Sequence, residues 1–218
     1  MKRALIVTGG TTDTGFGRRY IAENGFDWMI AADLGLNFFY KAKIKPDWAI
    51  GDFDSVDGGV LKYFESQEGL GITRLIPEKD DTDTEAAVRL AIAEGCGEIH
   101  ILGATGSRLD HMLGNVGLLG IGLLEGVELF LADPQNRARM INREVTITKQ
   151  GQYGNFVSLL AVTPEVTGVT LCGMKYPLKD YTMNCFSSLG ISNEIVEDEA
   201  RICLRDGVLL VVEAKDGA

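Results

Sequence analysis

The chain has 218 residues, with 45% apolar and 24% charged side chains, so it can bury at least one sizeable core and shows no sign of disorder. Its 31 acidic against 21 basic residues give a net charge of −10, which argues against nonspecific nucleic-acid binding, since that requires a basic surface. A phosphate-bearing ligand stays compatible if a divalent cation and a few local arginines supply positive field, and a cationic substrate is favoured.

The opening run, residues 4–7, is apolar, too short for a signal peptide, and reads as a first strand. It ends at Gly9-Gly10. Helical spacing follows over 18–23, then a strand over 28–32 ending at Asp33, and a helix over 36–41. A third strand at 48–50 ends in Gly51-Asp52. Residues 60–64 are amphipathic, 72–76 strand-like and 85–93 helical. A strand at 99–102, a glycine-containing helix at 109–124 and a strand at 127–131 complete the series. Strands joined by helix-length connections predict a mainly parallel, Rossmann-like sheet with flanking helices.

After Asp133-Pro134-Gln135-Asn136 the pattern changes to short runs at 145–148, 156–161, 166–171, 200–204 and 208–212, punctuated by turn residues. The expected architecture is α/β over residues 1–135, followed by an all-β sandwich over 136–218. No apolar run reaches membrane-spanning length. Cys96, Cys172, Cys185 and Cys203 form no CxxC pair, and with two histidines a zinc site is disfavoured; the chain reads as a protein of a reducing, cytoplasmic compartment.

In an open parallel sheet, ligands bind beyond the carboxyl ends of the strands. The segments there are Thr8-Gly9-Gly10, Asp33, Gly51-Asp52-Phe53-Asp54-Ser55, Glu78-Lys79-Asp80-Asp81-Thr82-Asp83 and Gly103-Ala104-Thr105-Gly106-Ser107-Arg108. Asp52 and Asp54 lie two apart in a segment read as extended, which points both side chains to one side. Magnesium, a hard cation held by few carboxylates plus phosphates, suits that pair, and ordinary turn chemistry is the alternative. Asp80, Asp81 and Asp83 crowd a helix start, where Thr82 and Glu85 fit a capping box; capping accounts for one or two acidic groups, not comfortably for three. The glycine turn before Arg108 suits a phosphate. No GxxxxGK[ST], GxGxxG after the first strand, or GxSxG occurs. His100, inside a strand, reads as structural.

Taken together and in this order, GDFDS at 51–55, KDDTD at 79–83 and GATGSRLDH at 103–111 resemble the thiamine pyrophosphokinase family. So do AADLG at 31–35, GMKYPL at 173–178 and SNE at 192–194. The chain departs from that pattern at Ser107, Leu34 and Leu36. The resemblance implies transfer of the pyrophosphoryl group of ATP to thiamine, in a homodimer with thiamine bound between domains of the two subunits. It implies that Asp52, Asp54 and Asp83 hold Mg2+, with Asp80 close by as a further catalytic carboxylate. Asp33, Gly35, Thr105, Gly106, Arg108, Asp110 and His111 would line the nucleotide side, and Tyr176, Ser192 and Asn193 the thiamine side. Another Mg2+-dependent pyrophosphoryl- or nucleotidyltransferase would use the same rim, whereas a noncatalytic sensor of thiamine or nucleotide would need the pockets but not a tight acidic cluster.

Overall fold

The apolar runs of the N-terminal part line up as six parallel strands in a computed structural model that describes residues 1–76, 81–106 and 108–217. The chain forms two units, Met1–Pro134 and Gln135–Ala218. In the first, β1 (Lys2–Val7), β2 (Trp28–Ala32), β3 (Trp48–Gly51), β4 (Gly71–Arg74), β5 (Cys96–Leu102) and β6 (Glu128–Ala132) stand in the order β4-β3-β2-β1-β5-β6. Every adjacent pair is parallel.

Five helices connect them: α1 (Thr14–Asn24), α2 (Gly35–Ala42), α3 (Gly58–Glu65), α4 (Asp83–Ala93) and α5 (Leu109–Glu125). Contacts of α2 with α1 and α3, and of α4 with α5, group them into two layers. Between those layers Ala4, Leu5, Ile6 and Val7 are fully buried, which explains why β1 shows no polar alternation. The strand order reverses between β1 and β5, which places the ligand-binding crevice of such a sheet at their C-terminal ends.

Local chemistry sets the helix ends. Asp13, Asp57 and Thr82 cap α1, α3 and α4 by accepting from backbone N–H groups of the first turn. Helix α1 starts four residues before the start read from spacing, because Gly15 and Gly17 weaken its periodicity. Gly17 is there for packing: a Cβ at that position would collide with the Phe38 ring of α2.

His100 of β5 is 2% exposed and links two elements. Its Nε2 lies 2.7 Å from Glu98 Oε1 and its Nδ1 2.6 Å from the Tyr20 hydroxyl. A carboxylate can only accept, so Nε2 carries a proton and donates to Glu98. The Arg3 guanidinium also donates to Glu98 Oε1, at 2.6 and 3.0 Å. These bonds, with His100 first, hold the Glu98 acid down at about 2. A depressed acid stabilises the fold above its unfolded value of 4.5, and that contribution is lost as pH falls towards 2. Glu98→Gln should therefore lower stability by about 2 kcal/mol at neutral pH. Urea midpoints of the two proteins should converge between pH 4.5 and about 2.

The second unit comprises β7 (Asn136–Ile141), β8 (Val145–Thr148), β9 (Phe156–Ala161), β10 (Glu165–Cys172), β11 (Leu178–Asn184), β12 (Glu199–Cys203) and β13 (Leu209–Ala214). Strands β7-β13-β9 form one antiparallel layer and β11-β10-β12-β8 the other. Val157, Leu159, Val166, Val169, Leu171, Ala200, Ile202 and Val211 meet in its core. The expected α/β sheet followed by a β-sandwich is what the chain adopts. Two strands escaped the sequence reading. β7 carries arginines, one of which, Arg137, pairs with buried Glu213 at 2.8 Å. β11 is an edge strand whose polar residues face solvent. No helix among the described residues is long and apolar enough to cross a membrane.

Candidate active site

Strands β2 and β3 end side by side, and the residues that follow converge. Asp33 directly follows β2 with φ 46°, its N–H donating to Ile50 O at 2.9 Å. Gly51 closes β3, and a Cβ there would lie 3.1 Å from Asp33 Cα, so the two strand ends approach more closely than a side chain comfortably allows. Phe53 is buried at 4% exposure with φ 61°, and this left-handed residue folds Asp54 back so that its N–H donates to Asp52 Oδ1 at 3.2 Å. The Ser55 hydroxyl donates to Asp54 Oδ1 at 3.0 Å.

The result is three carboxylates, from Asp33, Asp52 and Asp54, with one oxygen of each lying within 4.8 Å of the others. Charges this close repel by about 1 kcal/mol per pair even in water and by more beside a protein surface. Asp33 Oδ1 is buried and has no hydrogen-bond partner among the described residues. Burial raises the Asp33 acid above its ordinary value, the Leu34 N–H partly offsets that, and the charges of Asp83, Asp52 and Asp54 raise it further. An orphaned carboxylate oxygen among like charges is unfavourable unless a cation takes it up. The donor set is all oxygen, which fits Mg2+.

The family resemblance grouped Asp52 and Asp54 with Asp83 and assigned Asp33 to the nucleotide. The close trio contains Asp33. Asp83, in the first turn of α4, acts on Asp33 through its charge. Thr82 caps that helix as read, accepting from Glu85 N at 3.1 Å, but the Glu85 side chain turns to Arg89 at 2.6 Å instead of completing a capping box. Asp80, Lys79 and Ser107 lie outside the described residues.

At the reversal between β1 and β5, two glycine turns touch backbone to backbone. A Cβ on Gly10 would strike Gly103 O, and one on Gly103, at φ 74°, would lie 2.6 Å from Thr8 O. Thr8 and Thr84 share a hydroxyl hydrogen bond of 2.7 Å, and Thr12 Oγ1 is buried with no partner among the described residues. The Thr105 hydroxyl donates to Asp133 Oδ2 at 2.8 Å, which holds the β5–α5 turn to the end of β6. Gly35, expected on the nucleotide side, is buried at the start of α2, where a Cβ would collide with Val7 O.

Arg108 and Asp110 form an exposed fork, with Nη2 to Oδ2 at 2.5 Å and Nε to Oδ1 at 3.1 Å. Arg108, followed by the His111 N–H at 2.9 Å, holds the Asp110 acid down at about 2. Asp110 thus fixes the direction of the guanidinium. His111 is exposed on the same turn.

In the second unit, Tyr176, Ser192 and Asn193 are neighbours. Buried Asn193 clamps the main chain of Tyr176: its Oδ1 accepts from Tyr176 N at 3.0 Å and its Nδ2 donates to Tyr176 O at 2.8 Å. Its Oδ1 also accepts from Glu194 N at 2.9 Å, so much of its hydrogen-bonding capacity is used internally. The Tyr176 ring is 60% exposed, with Lys175 Nζ 5.5 Å from its centroid. Lys175 is itself paired with Glu194 at 2.5 Å. Ser192 takes φ 57° and its N–H donates to Ser158 Oγ at 3.0 Å.

Comparison with known proteins matches both units. Residues 22–131 match the family described as "Thiamin pyrophosphokinase, catalytic domain", and residues 143–209 match "Thiamin pyrophosphokinase, vitamin B1 binding domain". A thiamine pyrophosphokinase of Bacillus subtilis (strain 168) is 30% identical over 194 residues, 86% of this chain and 87% of the relative. The crystal structure of thiamine pyrophosphokinase from Bacillus subtilis superposes with a TM-score of 0.89 at 29% identity, covering 99% of this chain and 100% of that one. The enzyme from Geobacillus thermodenitrificans gives 0.85 at 30% identity, with 99% of each chain covered. The yeast enzyme, at 18% identity and a TM-score of 0.82, shares the fold. The chain belongs to the thiamin pyrophosphokinase family.

Proposed function

We propose that the chain transfers the terminal pyrophosphoryl group of ATP to the primary hydroxyl of thiamine, yielding thiamine diphosphate and AMP. The observation that carries this reading is the convergence of Asp33, Asp52 and Asp54 at the strand ends of a chain that matches both family domains.

Asp33, Asp52 and Asp54 are the residues that would hold Mg2+, with Asp83 contributing from the first turn of α4 and Asp80 as a further carboxylate. When bound, the ion supplies positive charge against the phosphate oxygens. The rest is positioning, the dominant contribution in transfer between phosphates and alcohols. The glycine turns at Gly9-Gly10 and Gly103–Gly106 let the polyphosphate approach the backbone closely, and Thr12 offers a hydroxyl with no other described partner. Arg108, aimed by Asp110, swings onto phosphate oxygens at the mouth, and His111 lines the same turn. The thiamine hydroxyl attacks the β-phosphorus in line with departing AMP, and Asp83 or Asp80 takes its proton. Tyr176 offers its face to the thiazolium cation, steadied by the Asn193 clamp, while Ser192 contacts the pyrimidine. The net charge of −10 favours a cationic acceptor.

The functional form is a cytoplasmic homodimer. Phe186 is 95% exposed, with Leu189, Ile191 and Val196 about half exposed on the same stretch, an apolar surface suited to a second copy. All four cysteines are free thiols, in keeping with a reducing compartment. Sedimentation should give twice the mass of the 23.6 kDa chain.

The reaction is tested by incubating the chain with thiamine, ATP and Mg2+ and separating products by mass. Thiamine diphosphate and AMP should appear in equal amounts. Thiamine monophosphate with ADP would replace this reading by that of a simple kinase.

A further inference from the structure

The carboxylates at the end of β3 come together in a way that an extended segment does not provide. In a strand, residues i and i+2 share a side but stay roughly 6.5 Å apart along the chain. Here the residue between Asp52 and Asp54 is Phe53 at φ 61°, in a region that bulky residues seldom enter. Glycine is the usual solution for such a turn. Phe53 is instead tied down: its ring is 4% exposed, the Arg74 guanidinium lies 5.5 Å from the ring centroid, and its carbonyl accepts from Val56 N at 3.3 Å.

Resting on the metal reading above, we infer that Phe53 is a positioning residue, whose left-handed backbone sets the spacing of the Asp52 and Asp54 carboxylates against Asp33. It touches neither metal nor substrate. Its effect is geometric: returning residue 53 to extended backbone would remove the turn in which Asp54 N–H reaches Asp52 Oδ1, and would separate carboxylates that now lie within 4.8 Å of each other and of Asp33.

Leucine and isoleucine separate conformation from burial, because they are isomers of nearly equal volume and hydrophobicity. Isoleucine is branched at Cβ and opposes a positive φ far more strongly than leucine. Mn2+ affinity of the nucleotide-free chain, measured by titration calorimetry, is the direct readout. Phe53→Leu and Phe53→Gly should stay within about threefold of wild type, and Phe53→Ile should bind at least about tenfold more weakly. Phe53→Ile should also need correspondingly more Mg2+ for half-maximal turnover, with its rate at saturating Mg2+ largely restored.

Equal Mn2+ affinity in Phe53→Ile and Phe53→Leu would overturn the assignment. So would a tenfold loss in a folded Phe53→Gly, and that variant decides alone if Phe53→Ile does not fold. Absence of Mn2+ binding by the wild type would instead overturn the metal reading itself, which keeps the two failures distinct.

Discussion

Asp54→Asn should leave the chain folded and lower kcat/KM for ATP and thiamine by about 10³-fold, or about 4 kcal/mol of transition-state stabilisation. The substitution keeps the size and shape of the side chain, so the Asx-type turn at residues 52–54 has no steric reason to open. What it removes is one of three charges whose oxygens lie within 4.8 Å of each other. In the metal-free chain that removal relieves repulsion, so the thermal midpoint should be no lower than wild type. With Mg2+ and nucleotide the sign reverses, because the neutral amide is a poorer oxygen donor to a hard cation. A variant of unchanged stability and lost turnover, in which added Mg2+ raises the thermal midpoint less than in wild type, is the expected combination. Wild-type turnover in folded Asp54→Asn would remove Asp54 from the metal site.

Gly35→Ala should act through the scaffold and cost about 3 kcal/mol, read as a shift in urea midpoint. The added methyl would run into the carbonyl of Val7, the last residue of β1. Both partners are backbone, and Val7 and Leu36 are fully buried, so no flexible side chain can move aside. The collision can be relieved only by lifting the start of α2, and Asp33 sits in the turn just before it, with Leu36 N–H donating to Asp33 O at 3.1 Å. Mn2+ affinity should therefore fall in the same variant. Wild-type stability in Gly35→Ala would show that the packing of α2 on β1 is looser than described.

Much of this was legible in the sequence because the α/β half uses strong local signals. Buried parallel strands read as continuous apolar runs, and the run at 28–32 coincides with β2. The rule that ligands gather beyond strand ends pointed to Asp33, Asp52, Asp54 and Asp83 without three-dimensional information. It could not say which carboxylates meet. That depends on the lateral order β3-β2-β1, and on the pairing that sets Ile50 beside Ala32, a nonlocal fact. A usable hint existed, since consecutive strands are often neighbours, which would bring Asp33 towards Asp52. The left-handed conformation of Phe53 carried no signal at all, because the residue type argues against it. In the β half, β7 and β11 were missed for the opposite reason: their charged residues are satisfied by pairing or by solvent, so hydrophobic alternation fades. The resemblance put Asn193 on the thiamine side, but its hold on the Tyr176 main chain joins residues 17 apart and carried no local signal.

The metal centre on which the chemistry rests is open to direct observation. Crystals grown with Mn2+ and a nonhydrolysable ATP analogue should show an anomalous peak within bonding distance of the Asp33, Asp52 and Asp54 carboxylates, about 2.2 Å from at least two of them. Absence of any peak there, or a peak held by other residues while these three carboxylates stay apart from it, would contradict the account.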